Sequence, residues 1–155
     1  RFAMDAEKAG ADGVLVVDLP PEEADELKKE TDKNCLDLIF LLTPTSDAAR
    51  IKLVTEKASG FIYYVSVAGV TGARKELSET LKPSINTIKR FTSLPICVGF
   101  GISTPKQVKE VSMIADGVVV GSAIVKMIER RQGKANFIKK LGRFVYNLKA
   151  STRGF

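Results

Sequence analysis

Five short apolar runs recur along the chain, and each is followed by a segment with helical periodicity. The runs are rich in β-branched residues and are hydrophobic throughout rather than at alternate positions, which predicts strands buried on both faces of a parallel sheet. The predicted strands are Gly13–Asp18, Asp37–Leu42, Phe61–Ser66, Pro95–Gly99 and Gly117–Gly121. The pattern therefore predicts consecutive βα units with parallel strands and outer helices.

Helix starts between the strands are indicated by proline, acidic residues and side chains that cap helices. The predicted starts are Pro20-Pro21, Ser46-Asp47, Ser78 and Thr104-Pro105, and Ser122 is predicted to open a short helix after the last strand. A last helix is predicted over residues 136–149, with one apolar stripe that we expect to be buried. The stripe consists of Phe137, Leu141, Phe144, Val145 and Leu148.

Consecutive βα units form either an open doubly wound sheet or part of a closed barrel, and periodicity alone does not decide between them. A closed barrel needs eight strands and typically ~250 residues, whereas this chain has 155 residues. The lack of an initiator Met and the helix-like first nine residues favour a longer natural chain. We expect the C-terminal five βα units of a TIM (βα)8 barrel, with residues 1–155 as a single domain.

Composition narrows the possible functions. The chain has no His, which excludes Ser-His-Asp and Cys-His nucleophiles and histidine-bound metals. Cys35 and Cys97 lack CxxC spacing, so we expect reduced thiols, no metal site and a cytoplasmic location, with a plastid as the alternative. Basic residues dominate after residue 125, which favours a solvated helix face over a nucleic-acid surface. No apolar run is long enough to span a membrane.

Glycine-containing segments follow three of the strands, at the end where barrel active sites are built. They contain Gly72, Gly101 and Gly121. Glycine lets the backbone approach a ligand closely, and Ser122 is expected to open a short helix whose first N–H groups attract an anion. Because barrels hold phosphate after their last two strands, the sequence predicts a phosphate site here.

Two further segments leave alternatives open. Asp18 ends the first predicted strand, which is a catalytic position in barrels, yet an aspartate before Pro20 is also typical of a strand-to-helix turn. Residues 67–75 are polar and too long for a tight turn, so they form either a closing lid or an exposed loop.

Residues 67–74, 98–103 and 121–126 together resemble the alpha-subunit family of tryptophan synthase, as do residues 11–20. The resemblance implies a lyase that cleaves indole-3-glycerol phosphate by a retro-aldol step into indole and glyceraldehyde 3-phosphate, in tryptophan biosynthesis. It also implies a beta-subunit partner, which carries the pyridoxal phosphate, and no cofactor in this chain. The implied phosphate contacts are Gly72, Gly101, Gly121 and Ser122. The implied substrate pocket is Leu15, Tyr63, Phe100 and Val119, with Thr71 ordering a catalytic aspartate.

The chain also departs from the family pattern. The catalytic glutamate and aspartate of the family precede every matched segment, so the resemblance implies that this chain alone is inactive, with Asp18 the remaining candidate. The first strand is expected to expose an edge through which the chain could self-associate. The alternatives are another phosphate-binding TIM-barrel enzyme and a non-catalytic, self-associating α/β module. Neither a nucleic acid nor a membrane is expected as a partner.

Overall fold

The computed structural model describes residues 1–66, 74–99 and 101–152. Strands and helices alternate through these ranges, and a 3-10 turn over Pro21–Glu23 precedes the second helix. The strands are β1 (Gly13–Leu15), β2 (Asp37–Leu42), β3 (Ile62–Val65), β4 (Ile96–Gly99) and β5 (Gly117–Val119). The helices are α1 (Phe2–Lys8), α2 (Asp25–Lys33), α3 (Ala48–Lys57), α4 (Arg74–Ile88), α5 (Pro105–Ser112), α6 (Ser122–Arg131) and α7 (Phe137–Ala150).

The strands are hydrogen-bonded in chain order, β1-β2-β3-β4-β5. β1 runs parallel to β2, β2 runs parallel to β3, and β4 runs parallel to β5. Parallel neighbours need a crossover between them, and in each case a helix makes the crossover. The predicted arrangement of parallel strands joined by helices is therefore confirmed.

By its internal packing the chain divides into two compact units, residues 1–65 with 86–96 and residues 66–85 with 97–155. In the first unit, α2 and α3 pack on β2, and the buried side chains include Leu38, Phe40, Leu42, Val54 and Ile62. In the second unit, α5 packs on β5 and on α7, and α6 packs on α7. Buried side chains there include Val98, Ile102, Val108, Val111 and Leu148. That the chain is a single domain stays a prediction.

Side-chain caps explain two of the helix starts. The side chain of Asp47 accepts the N–H of Arg50 at 2.8 Å, which fixes the first turn of α3. Thr104 caps α5 and is followed by Pro105 at the first helical position. Both starts were predicted, because a cap is a local interaction between residues close in sequence. No helix in the described ranges is long and apolar enough to cross a membrane.

Several details of the prediction are wrong. β5 ends at Val119 rather than Gly121, and the helix predicted from Pro20 begins at Asp25, after the 3-10 turn. β1 ends at Leu15, and residues 16–18 form an exposed turn that includes Asp18. α4 begins at Arg74, four residues before the predicted start at Ser78. Val145 is 43% exposed. It lies at one edge of the predicted stripe, about 100° around the helix from Phe144, whereas Leu148 near the middle of the stripe is buried.

Candidate functional site

The C-terminal ends of β4 and β5 lie side by side in the second unit. Gly99 is the register partner of Val119, so Gly101 and Gly121, each two residues further on, leave the sheet at the same end. Gly101 has φ +72°, in the left-handed region that glycine adopts without strain and that other residues rarely adopt. The glycine at position 101 is therefore required by the backbone of the turn.

The glycine at position 121 has a different explanation. Its φ is −109°, which other residues also adopt, and a Cβ added there would meet nothing within 4 Å. Neither the backbone nor the packing of the described residues therefore demands a glycine. A ligand that approaches the backbone closely would demand one, because a side chain would occupy the space that the ligand needs.

The start of α6 completes this group. Gly121 is the N-cap of α6 and Ser122 its first residue, both are exposed, and Gly121 supplies no side-chain cap. The carbonyl of Gly121 accepts the N–H groups of Ile124 and Val125 at 2.9 and 3.1 Å. The first N–H groups of an α-helix have no acceptor within the helix, and together with the helix dipole they attract an anion. An arrangement of this kind is chemically suited to an anion such as a phosphate group.

The structure describes three of the residues expected to line the indole pocket. Tyr63 lies on the less buried side of β3, opposite Ile62 and Tyr64, which are both buried. Partial burial raises the pKa of the Tyr63 phenol above its usual value of 10.0, so the hydroxyl stays protonated at neutral pH. Leu15 is the last residue of β1 and 38% exposed, and Val119 is the half-buried last residue of β5.

The positions of the remaining candidate residues say little about their function. Asp18 is exposed in the turn after β1, a position that fits the turn interpretation. Thr71, Gly72 and Phe100 lie outside the described residues, as does most of the segment that we interpreted as a lid or a loop. In the described part of the chain, no group of three or more His, Cys, Asp or Glu side chains is arranged to hold a metal ion.

Comparison with known proteins gives one family. The family model for the tryptophan synthase alpha chain matches residues 1–153. The tryptophan synthase alpha chain of Geobacter sp. (strain M21) is 58% identical over 149 residues, which is 96% of this chain and 55% of the relative. That of Geotalea uraniireducens is 56% identical over 153 residues, 99% of this chain and 57% of the relative. This chain thus spans a little over half the length of these relatives.

Solved structures agree with the sequence comparison. The tryptophan synthase alpha subunit from Legionella pneumophila matches with a TM-score of 0.84 and 35% identity, over 99% of this chain and 56% of that one. A tryptophan synthase α2β2 complex from Pyrococcus furiosus contains a chain that matches with a TM-score of 0.81 and 35% identity, over 96% of this chain and 60% of that one. These likenesses confirm the predicted fold class, five parallel βα units corresponding to part of a TIM barrel.

Proposed function

The chain belongs to the tryptophan synthase alpha chain family, and we propose that it supplies phosphate and indole-pocket contacts for the cleavage of indole-3-glycerol phosphate in tryptophan biosynthesis. The observation that carries the proposal is the placement of Gly101, Gly121 and Ser122 at adjacent strand ends. Gly121 is the most informative of the three, because none of the described residues around it explains the missing side chain.

A phosphate group at this position would be bound mainly by the backbone. The free N–H groups at the start of α6 would donate to the anion, and the hydroxyl of Ser122 would add a donor. A favourable helix terminus contributes about 0.3–1 kcal/mol where it is exposed and up to ~2 kcal/mol where it is partly buried. From the resemblance of residues 67–74 to the family, we propose Gly72 as a further phosphate contact.

The chemical step needs more than a phosphate site. Retro-aldol cleavage requires a base for the glycerol hydroxyl and an acid for the indole ring. The two carboxylates that perform this work in the family have no counterpart in the segments that resemble it here. The Tyr63 phenol, whose pKa is raised by burial, stays protonated at neutral pH and therefore has no free base to offer. We therefore propose that residues 1–155 bind the substrate without turning it over, with Asp18 the first residue to suspect if turnover occurs.

The proposed macromolecular partner is a tryptophan synthase beta subunit, which would carry the pyridoxal phosphate, and the proposed compartment is the cytoplasm. The α2β2 complex of the Pyrococcus furiosus relative supports this partner. A second candidate is self-association at β1, which stands first in the strand order and is followed by Val16 and Val17, exposed by 36% and 68%. Unpaired strand edges of this kind readily pair with other chains.

Phosphate binding can be tested with a glycine substitution that the protein itself tolerates. In G121A the new Cβ meets nothing within 4 Å, so the fold should persist while the methyl group obstructs a phosphate. The matched control is G142A in α7, where a Cβ also meets nothing within 4 Å. We expect G121A to weaken binding of inorganic phosphate, measured by calorimetry, by about tenfold, the loss of one charge-assisted hydrogen bond, and G142A to leave it unchanged.

The same samples test for chemistry. Indole release from indole-3-glycerol phosphate should be undetectable above the uncatalysed reaction. Equal phosphate affinity in G121A and the unsubstituted chain would contradict the proposed site. Turnover that disappears in D18N would contradict the proposed division between binding and catalysis.

A further inference from the structure

One side-chain oxygen organises the turn that follows β4. The Oε1 atom of Gln107, in the first turn of α5, accepts the backbone N–H of Ser103 at 3.0 Å and that of Thr104 at 3.1 Å. The hydroxyl groups of Thr104 and Ser103 lie 3.1 and 3.3 Å from the same oxygen. In return, the Oγ1 atom of Thr104 accepts the N–H of Gln107 at 3.3 Å.

Part of this network is ordinary helix capping. A capping box requires only the reciprocal bonds between the N-cap residue, here Thr104, and the residue three positions later, here Gln107. The bond to Ser103 is additional. Because Ser103 precedes the N-cap and lies outside the helix, its bond to Gln107 fixes the loop rather than the helix.

The turn is held from a second side as well. Ile102 is only 7% exposed, so its side chain anchors the segment between Gly101 and Ser103 in the core of the second unit. Gly101 supplies the left-handed backbone at φ +72°. The turn therefore has little conformational freedom, because one of its side chains is buried and two of its backbone N–H groups bind the same oxygen.

We propose that Gln107 is a positioning residue for phosphate binding, which holds the turn after β4 so that Gly101 meets the phosphate with its backbone already in place. This inference rests on the proposed phosphate site. The N–H groups of Ser103 and Thr104 are committed to Gln107 and do not serve the ligand. A turn that is ordered beforehand loses less entropy when the ligand binds, and this difference increases affinity.

The test compares Q107M with V108A in the full chain. Q107M keeps the length of the side chain and removes its acceptor oxygen. V108A removes two methyl groups from a neighbouring residue that is 3% exposed, so it lowers stability without touching the Gln107 bonds. We expect Q107M to weaken inorganic phosphate binding roughly fivefold, the equivalent of one hydrogen bond, and to speed amide hydrogen exchange at Ser103 and Thr104. V108A should lower the unfolding midpoint and leave phosphate affinity within twofold.

Q107E provides the conservative rescue, because a carboxylate oxygen can accept the same N–H groups. It should restore slow exchange at Ser103 and Thr104, and exchange is the readout for this variant since its added charge also repels phosphate. If Q107M does not fold, Q107N withdraws the oxygen by one methylene and serves the same comparison.

The two proposals fail in different ways. Faster exchange in Q107M with unchanged phosphate affinity overturns the positioning role and leaves the phosphate site intact. An equal loss of affinity in V108A and Q107M also overturns it, because the effect would then follow stability. No saturable phosphate binding by the unsubstituted chain overturns the phosphate site and the positioning role together.

Discussion

Replacement of Gly117 by alanine is expected to destabilise the second unit, because the new methyl group has no room beside Cys97. The two residues are register partners in β5 and β4. A Cβ built on Gly117 lies 2.5 Å from the Sγ atom of Cys97, 3.5 Å from its Cβ and 3.8 Å from its Cα. Contact distances between nonbonded carbon atoms are about 3.5–4.0 Å, so the sulfur or the strand has to move by about 1 Å.

The size of the effect follows from what can move. Cys97 has a single side-chain torsion, and its Cα and Cβ are already at ordinary contact distance from the new methyl group. Relief therefore requires rotation of the thiol or displacement of β5, and overpacking of this kind costs typically about 1–3 kcal/mol. Cys97 is half-buried, so C97A alone should cost about 1 kcal/mol or less.

The double variant C97A/G117A isolates the contact. Without the sulfur the methyl group fits, so the double variant should be more stable than G117A, with a coupling free energy of about 1–2 kcal/mol. Urea unfolding followed by far-ultraviolet circular dichroism suits a chain that has no Trp, provided that the m-values agree between variants. An unchanged midpoint for G117A, or strictly additive effects of the two substitutions, would refute the reasoning.

Two further substitutions test the left-handed glycine before β3 and the half-buried thiol. G60A should lose about 2 kcal/mol in thermal unfolding, because Gly60 has φ +70° and a Cβ there would lie 2.6 Å from Oδ2 of Asp37; stability equal to that of the unsubstituted chain would contradict this. Desolvation and the charge of Asp116 raise the pKa of the Cys97 thiol above 9.0. Alkylation of Cys97 should therefore reach half of its maximal rate above pH 9.0, and this midpoint should move to a lower pH in D116N. The neutral thiol stabilises the fold below the unfolded-state pKa, so stability should fall as pH rises through the folded-state pKa in the unsubstituted chain but less in C97A; identical pH profiles would count against it.

The strands were predictable where burial and pairing coincide. β2 occupies the predicted residues Asp37–Leu42, and it has a neighbouring strand on each side. β1 is shorter than its apolar run, and Val17 is 68% exposed. Hydrophobicity predicts that a residue will be buried, whereas the length of a strand depends on its backbone partners. Among the described strands, β1 pairs only with β2.

Helix starts were predictable only where a cap acts locally. Thr104 and Asp47 cap their helices through bonds to residues three positions away. Ser78 has the side chain of a cap, yet α4 already begins at Arg74. Lysine, glutamate and leucine occupy positions 75–77. These residues are good helix formers, so they allow the helix to begin before Ser78.

The positions of the glycines in the candidate site were predictable, but the physical reason for a glycine at each position was not. Gly101 is needed for a left-handed backbone, whereas Gly121 has a negative φ and no described atom within 4 Å of a Cβ built on it. A sequence does not separate these two reasons. The capping pattern from Thr104 to Gln107 can be found in the sequence, but the extra bond to Ser103 depends on the backbone path and could not.

The proposed phosphate site would bind its ligand without help from the groups that perform the chemical step. Gly101, Gln107, Gly121 and Ser122 all belong to the second unit, so one compact unit contains the described part of the proposed phosphate site. Binding free energy from a phosphate becomes rate acceleration only when other groups act on the reacting atoms. A chain that positions the phosphate without an acid–base pair should therefore gain affinity and no turnover. Measurable indole release would require an acid and a base within residues 1–155, and the exposed Asp18 would be the first candidate to replace.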